Sequence, residues 1–154
     1  MSPSTSVGLN GLLLDTNVLS LLAVANKLTL LQERATMPLY ITPRIVEELH
    51  IGLSKGVLAL GNVLALINTG QIQVLQLTSI EKVRQARLPP KLGQGEAEAI
   101  AICRQRNMIF ITHDRKAANY CLRESIGCIR LTDFLNQLLL AGLLSQMELD
   151  AILA

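Results

Sequence analysis

Four acidic residues of this chain lie where a strand is expected to give way to a helix, or just inside a helix that follows a strand. They are Asp15, Glu48, Glu96 and Asp114. Half of the chain is apolar and only 17% is charged, and an unpaired carboxylate near buried strands is energetically unfavourable. Converging carboxylates without a cation would repel one another and take up protons. The pattern therefore predicts that the four acids share a cation.

Short apolar runs alternate with helical patterns along the whole chain, and they predict the elements that hold these acids. We expect strands over residues 12–14, 39–41, 72–77, 108–112 and 128–131. We expect helices over residues 18–33, 44–53, 57–67 and 96–106, one opened by His113 and Asp114, and a C-terminal one capped by Thr132 and continued beyond Gly142. The first strand, Leu12 to Leu14, is a continuous apolar run, which is typical of a central parallel strand covered on both faces.

The alternation predicts a three-layer α/β/α sandwich around a central, mainly parallel sheet of about five strands. Ligands of such sheets bind outside the carboxyl ends of the strands, and Asp15 and Asp114 come just after two strands. We expect one domain over residues 12–154, preceded by a flexible Ser/Thr/Gly-rich lead-in over residues 1–11.

Each acid also has a simpler explanation when it is taken alone. Asp15 and Asp114 could be N-caps of the helices that follow them. Glu48 borders the apolar stripe of its helix, whereas Glu47 points farther round, so Glu48 is the better inward candidate. Only the combination of the four acids favours a site.

The third acid is less well defined. Glu96 leads the helix face that runs through Ala99, Ile100 and Cys103, while Glu98 leads the opposite face, and both faces are apolar. Glu96 also lies in the first helical turn, where the helix dipole favours a carboxylate. Glu96 is preferred, and Glu98 stays an alternative.

Composition narrows the class of protein. A chain of 154 residues with a net charge of +2 is the size of one domain and lacks the bulk basicity of many nucleic-acid binders. Its three cysteines show no CxxC spacing, which predicts reduced core residues in a cytoplasmic protein rather than a disulfide framework or a zinc cluster. No basic residue precedes Lys27 and no apolar run reaches the length of a membrane span, so we expect a soluble, unprocessed protein with no membrane partner.

Four segments together resemble the acidic motifs of PIN-domain nucleases, in the same order and over nearly the whole chain. They are LLLDTNVL from Leu12, TPRIVEEL from Thr42, GEAEAIAIC from Gly95 and FITHD from Phe110. Most specific is the pairing of the DTN segment with a Thr-x-Asp strand end, whose Asp114 follows Glu96 by 18 residues, as 114 minus 96 gives.

The resemblance implies a PIN-like fold and a metal-dependent ribonuclease that uses Mg²⁺ or Mn²⁺ to cleave RNA. By position, the implied catalytic and metal-binding residues are Asp15, Glu48, Glu96 and Asp114. Asn17 and Thr112 would orient these ligands as polar supports. His113 is expected to be a surface neighbour, because metal-activated water needs no histidine base, and the family pattern usually has another polar residue there.

Contacts to an RNA substrate are expected from cations near the acids. Arg115 and Lys116 follow Asp114 directly, and Arg44 precedes Glu48 by one helical turn, although each could be an ordinary solvated charge. The chain has only two Phe and two Tyr, so it offers few aromatic side chains on which RNA bases could stack.

Three other functions fit parts of the pattern. A phosphatase of the haloacid-dehalogenase type also begins with a strand ending in Asp, but it needs a second acid at the position of Asn17. An inert PIN-like module for protein interaction would keep the fold without cleavage, and an orphan or housekeeping RNA-processing nuclease would keep the cleavage without a partner.

Many small members of the resembled family are toxins of toxin-antitoxin pairs, and the resemblance implies a small antitoxin partner and a homodimer. The apolar run over residues 57–67 is predicted to be either deeply buried or covered by a partner chain. The apolar tail over residues 138–153 could be core or partner surface.

Overall fold

The computed structural model describes residues 10–34 and 37–154. Most of the predicted lead-in, residues 1–9, therefore lies outside the described residues. Asn10 is already tied to the domain, since its backbone N–H donates to the carbonyl of Asn107 at 3.1 Å and its side chain donates to the carbonyl of Arg106 at 2.8 Å.

Five parallel strands form the central sheet in the described residues, as the sequence predicts. In chain order they are β1 (Leu12–Leu14), β2 (Leu39–Ile41), β3 (Ile72–Val74), β4 (Ile109–Thr112) and β5 (Cys128–Arg130). Their order across the sheet is β3-β2-β1-β4-β5, with every neighbouring pair parallel. β1 is the central strand, and all three of its leucines are buried.

Nine helices flank the sheet in the described part of the chain and complete a three-layer α/β/α sandwich. They are α1 (Thr16–Val24), α2 (Thr29–Arg34), α3 (Pro43–Ser54), α4 (Leu60–Asn68), α5 (Ser79–Ala86), α6 (Gln94–Arg106), α7 (Arg115–Arg123), α8 (Leu131–Leu140) and α9 (Gln146–Leu153). α1 packs against α3, α4 and α9, whereas α5 packs against α6.

The pairing of β1 with β4 sets which side chains meet at the carboxyl edge. Leu14 aligns with Ile111, and the N–H of Asp15 continues the ladder by donating to the Ile111 carbonyl at 3.1 Å. Asp15, just past β1, and Thr112, the last residue of β4, are therefore neighbours. Thr42 caps α3 after β2, with its hydroxyl accepting from the N–H of Ile45 at 3.3 Å and Pro43 in the first turn, as predicted.

Four expectations about helices are wrong. The single helix over residues 18–33 is broken between α1 and α2, where Asn26 adopts a left-handed conformation with φ of 58°. The apolar run over residues 57–67 becomes helical only at Leu60. Thr132 does not cap α8, which already begins at Leu131. The C-terminal segment is two helices, with Gly142 at φ of 75° between them.

α5 was not predicted at all, and an ion pair explains why it forms. Its one buried residue is Glu81, whose carboxylate accepts from the Nε and Nη2 atoms of Arg106 on α6, both at 2.8 Å. Arg106 also donates to the Gln76 carbonyl at 2.7 Å, and Glu81 forms a capping box with Thr78. Burial favours a higher pKa for Glu81, but the Arg106 hydrogen bonds hold it below its usual value.

The cysteines are free, with Cys103 and Cys121 buried and Cys128 half-buried. Burial raises the pKa of the Cys103 thiol, which favours the neutral form.

Within residues 10–34 and 37–154, no helix is long and apolar enough to cross a membrane.

Arg106→Met is expected to lower the free energy of unfolding by about 3–5 kcal/mol, because it leaves the Glu81 carboxylate buried and unpaired. Urea denaturation at neutral pH measures the change. The matched control is Arg104→Met, which removes an exposed ion pair with Glu124 at 3.0 Å and should cost less than about 1 kcal/mol. Equal losses in the two variants would show that the buried pair does not anchor α5.

Candidate active site

Asp15 lies at the centre of the carboxyl edge and is almost fully buried, with 4% of its surface exposed. Its Oδ1 accepts from the N–H of Thr16 at 2.7 Å, which caps α1, and its Oδ2 accepts from the hydroxyl of Thr112 at 2.9 Å. Burial, opposed by these two hydrogen bonds and reinforced by the nearby charges of Glu48 and Asp114, raises the pKa of Asp15 to about 6.

Asp114 caps α7 and is linked to Asp15 through one hydroxyl group. Its Oδ1 accepts from the N–H groups of Lys116 at 2.7 Å and Ala117 at 3.1 Å. Its own N–H donates to the Thr112 hydroxyl at 3.0 Å, while that hydroxyl donates to Asp15. The Thr112 side chain thus fixes the two aspartates relative to each other.

Glu96 reaches the same edge from the first turn of α6. Its Oε1 accepts from the N–H of Gly93 at 2.8 Å. Burial, the hydrogen bond to Asp114 and the charges of Asp15 and Asp114 raise the pKa of Glu96 to about 7, against the effect of the Gly93 N–H.

Glu96 and Asp114 form a carboxyl-carboxylate pair. Burial works to raise the pKa of Asp114, but the N–H groups of Ala117 and Lys116 and the hydrogen bond from Glu96 outweigh it and lower that pKa. Glu96 is therefore the more readily protonated of the two carboxyl groups. Neighbouring like charges disfavour the ionisation of both groups, in agreement with the raised pKa of Glu96.

Glu48 approaches from α3 and is half-buried, whereas Glu47 is exposed. The hydroxyl of Thr16 donates to Glu48 Oε1, and Arg44 Nε lies 3.6 Å from Glu48 Oε2. Gly95 faces this carboxylate, and a Cβ atom there would come within 3.2 Å of Glu48 Oε1. A side chain at position 95 would therefore crowd Glu48.

These groups surround a cavity of about 310 Å³. Its lining consists of three of the predicted acids, the polar residues of the DTN segment and two glycines: Asp15, Thr16, Asn17, Glu48, Gly93, Gly95 and Glu96. Asp114 does not line the cavity, but it interacts with Glu96, and the Thr112 hydroxyl links it to Asp15. The four predicted acids thus meet at one edge of the sheet.

Glu98 lies apart from this cavity. It is half-buried on the other side of α6 and accepts from the N–H of Arg44 at 3.1 Å, at the start of α3. Its carboxylate therefore satisfies a free N–H group of α3 and joins α3 to α6. Only Glu96 of the two glutamates shares the cavity with Asp15.

The predicted cations lie around the acids in different ways. Arg44 contacts two carboxylates, with Nη1 at 3.2 Å from Glu47 Oε2 in addition to the Glu48 contact. Arg115 and Lys116 are exposed in the first turn of α7.

Three residues that line the cavity, Thr16, Gly93 and Gly95, are absent from the site predicted by the sequence, although Thr16 is the middle residue of the DTN segment.

The oxygen ligands of the four acids suit a hard divalent cation, but the present positions of their side chains do not. All four acids offer oxygen, which Mg²⁺ and Mn²⁺ prefer, and two have pKa values raised to about 6 and about 7. As placed, no group of three His, Cys, Asp or Glu side chains in the described part of the chain could hold a metal ion. Glu96 is folded back onto Gly93 and Glu48 onto Thr16, so coordination requires their side chains to rotate.

Comparisons with known proteins agree with this architecture. One similar solved structure is a domain of a functionally unknown protein from Methanocaldococcus jannaschii DSM 2661, with 19% identity and a TM-score of 0.50, covering 79% of this chain and 91% of that chain. That likeness supports the fold alone. A search of the curated proteins finds no match. The family model DUF3368, described as a PIN domain, matches residues 12–152, and the chain therefore belongs to the PIN-domain family.

Proposed function

We propose that this protein is a metal-dependent endoribonuclease that hydrolyses RNA phosphodiester bonds. Membership of the PIN-domain family supports a nuclease-type function. The observation that carries the finer proposal is the convergence of Asp15, Glu48, Glu96 and Asp114 on one edge, with the pKa values of Asp15 and Glu96 raised. A divalent cation offsets such a concentration of negative charge.

Asp15 and Asp114 would hold the cation most directly, because neighbouring groups fix both of them. Glu48 and Glu96 would join after turning away from their present partners. When bound, Mg²⁺ or Mn²⁺ lowers the pKa of a water molecule and offsets charge on the phosphate.

The protein's own polar groups would prepare this site. The Thr112 hydroxyl holds both aspartates, and the Thr16 hydroxyl holds Glu48 near the cavity. Asn17 lines the cavity and could bind a water or a phosphate oxygen. Arg44 beside Glu48, and Arg115 and Lys116 on α7, would attract the RNA backbone to the acidic edge.

We further propose that the protein acts as the toxin of a toxin-antitoxin pair and works as a homodimer. Exposed apolar side chains such as Leu58, Leu140 and Met147, exposed by 77%, 88% and 83%, leave surface for a second copy or a small antitoxin. Induced expression should then arrest bacterial growth, and Asp15→Asn should abolish the arrest. Normal growth with the active wild-type protein would refute the toxin role and leave the nuclease proposal intact.

Asp15→Asn and Asp114→Asn should each reduce cleavage of a single-stranded RNA by roughly a hundredfold or more, because each removes a carboxylate ligand of the cation. Thr112→Val should reduce it by about tenfold, because the aspartates lose their shared hydroxyl. The assay follows a labelled oligonucleotide with Mg²⁺ or Mn²⁺, and with excess chelator.

Glu47→Gln is the matched control, since it neutralises an exposed acid beside Glu48 and should leave the rate within about twofold of wild type. Unchanged cleavage in both aspartate variants would rule out the proposed metal site. No cleavage by the wild-type protein with either metal would favour an inert interaction module instead.

The stability of metal-free Asp15→Asn should rise relative to wild type as the pH increases. The pKa of Asp15 is raised from 3.8 to about 6, so the protonated carboxyl stabilises the fold fully below about pH 4. This contribution is lost as the pH rises through about 6, and it amounts to roughly 3 kcal/mol. Asparagine stays neutral and avoids the loss, although it gives up one hydrogen bond.

Thermal unfolding of both proteins between pH 4 and pH 8, with and without Mg²⁺, measures this effect. This range extends about two pH units on either side of the Asp15 pKa. Mg²⁺ at the upper end should stabilise the wild type and have little effect on Asp15→Asn. A difference between the two proteins that does not change with pH would contradict the account of the buried charge.

A further inference from the structure

A groove of about 520 Å³ shares no residue with the acidic cavity. Its lining includes the apolar residues Ile80, Val83 and Leu88 with Tyr120 of α7, which we call its floor, and three arginines, Arg84, Arg87 and Arg104, which we call its rim. We refer to it as the α5 groove.

The groove exists because α5 buries a charged side chain and exposes apolar ones, the reverse of a usual surface helix. Its buried residue is the charged Glu81, while Ile80 and Val83 are exposed by 56% and 52%. Residues 80, 83, 84 and 87 have the spacing of a single helical stripe. The outer face of α5 thus presents two apolar side chains followed by two arginines.

The charge on this face is strongly one-sided. Within the described residues, neither Arg84 nor Arg87 forms an ion pair, whereas Arg104 pairs with Glu124 at 3.0 Å. Arg123 lies over the Tyr120 ring at 5.9 Å and adds a further cation beside the groove. The nearby acid Glu81 is buried and neutralised by Arg106. An occupant with carboxylates would therefore find two unpaired guanidinium groups.

A second copy of this chain fits the groove poorly. In a twofold symmetric dimer the same patch meets itself, which would bring the arginines of two copies together. RNA also fits poorly, because the floor is mainly aliphatic and offers bases one aromatic ring, already covered by Arg123. Apolar side chains flanked by carboxylates match both the floor and the rim.

We propose that the α5 groove binds an acidic amphipathic helix of a partner protein, independently of the nuclease activity proposed above. Apolar side chains of that helix cover Ile80 and Val83, and its carboxylates pair with Arg84 and Arg87. Guanidinium groups suit this role because they bind carboxylates with two parallel hydrogen bonds.

The probe is a synthetic helical peptide of roughly 16 residues, about 24 Å long, with leucines along one stripe and glutamates elsewhere. Fluorescence anisotropy measures its binding to the full chain. Arg84→Glu/Arg87→Glu should weaken binding by about tenfold or more, since two charged contacts become repulsive. Val83→Ser should weaken it by about threefold or more.

Matched controls separate the groove from general charge and hydrophobicity. Lys82→Glu/Lys91→Glu changes the net charge by the same amount at exposed positions outside the groove, and Leu122→Ser removes a side chain that is 80% exposed elsewhere. Both controls should change the affinity by less than about twofold. Unfolding curves establish that every variant is folded.

Three outcomes would overturn the proposal. The first is no binding of the glutamate peptide, or equal binding of a version with lysines in place of the glutamates. The second is an equal loss in the Lys82→Glu/Lys91→Glu control. The third is a single-stranded RNA, tested in chelator on the Asp15→Asn variant, whose binding depends on Arg84 and Arg87 while peptide binding does not.

Discussion

The hydrogen-bonded pairing of β1 with β4 positions the acidic edge of this protein. It aligns Leu14 with Ile111 and brings Asp15 beside Thr112. The Thr112 hydroxyl then joins Asp15 to Asp114 across the two strand ends. A change of register by one residue would move every side chain of β1 to the opposite face of the sheet, so the site and the core depend on the same pairing.

Glu48 and Glu96 reach that edge from two different helices. Glu48 comes from α3, whose start is defined by the Thr42 cap and Pro43. Glu96 comes from the first turn of α6, after a glycine loop that leaves room for carboxylates. Glu48 is held by the Thr16 hydroxyl and by Arg44, and Glu96 is held by the N–H of Gly93. The metal-free edge therefore limits its own repulsion by protonation and by hydrogen bonds, which a bound cation would replace.

Local signals were enough to predict the sheet and the edge. The leucine run of β1, the Thr-Pro start of α3 and the strand before Thr112 are all readable within a few residues. The break at Asn26 was missed, because a left-handed residue does not alter the hydrophobic pattern on either side of it. Glu96 and Glu98 could not be separated by sequence, since α6 is buried on nearly all sides. α5 was missed because its buried residue is a glutamate, paired with an arginine 25 residues away.

The central claim is that the carboxylates of Asp15 and Asp114 bind one divalent cation. The most direct measurement is an anomalous difference map from crystals soaked in Mn²⁺, which locates the ion independently of activity. The account predicts a peak within coordination distance of an oxygen of each aspartate, about 2 Å as for Mg²⁺, with Glu96 turned away from Gly93. A map with no peak at this edge, at Mn²⁺ concentrations that support cleavage, would contradict it.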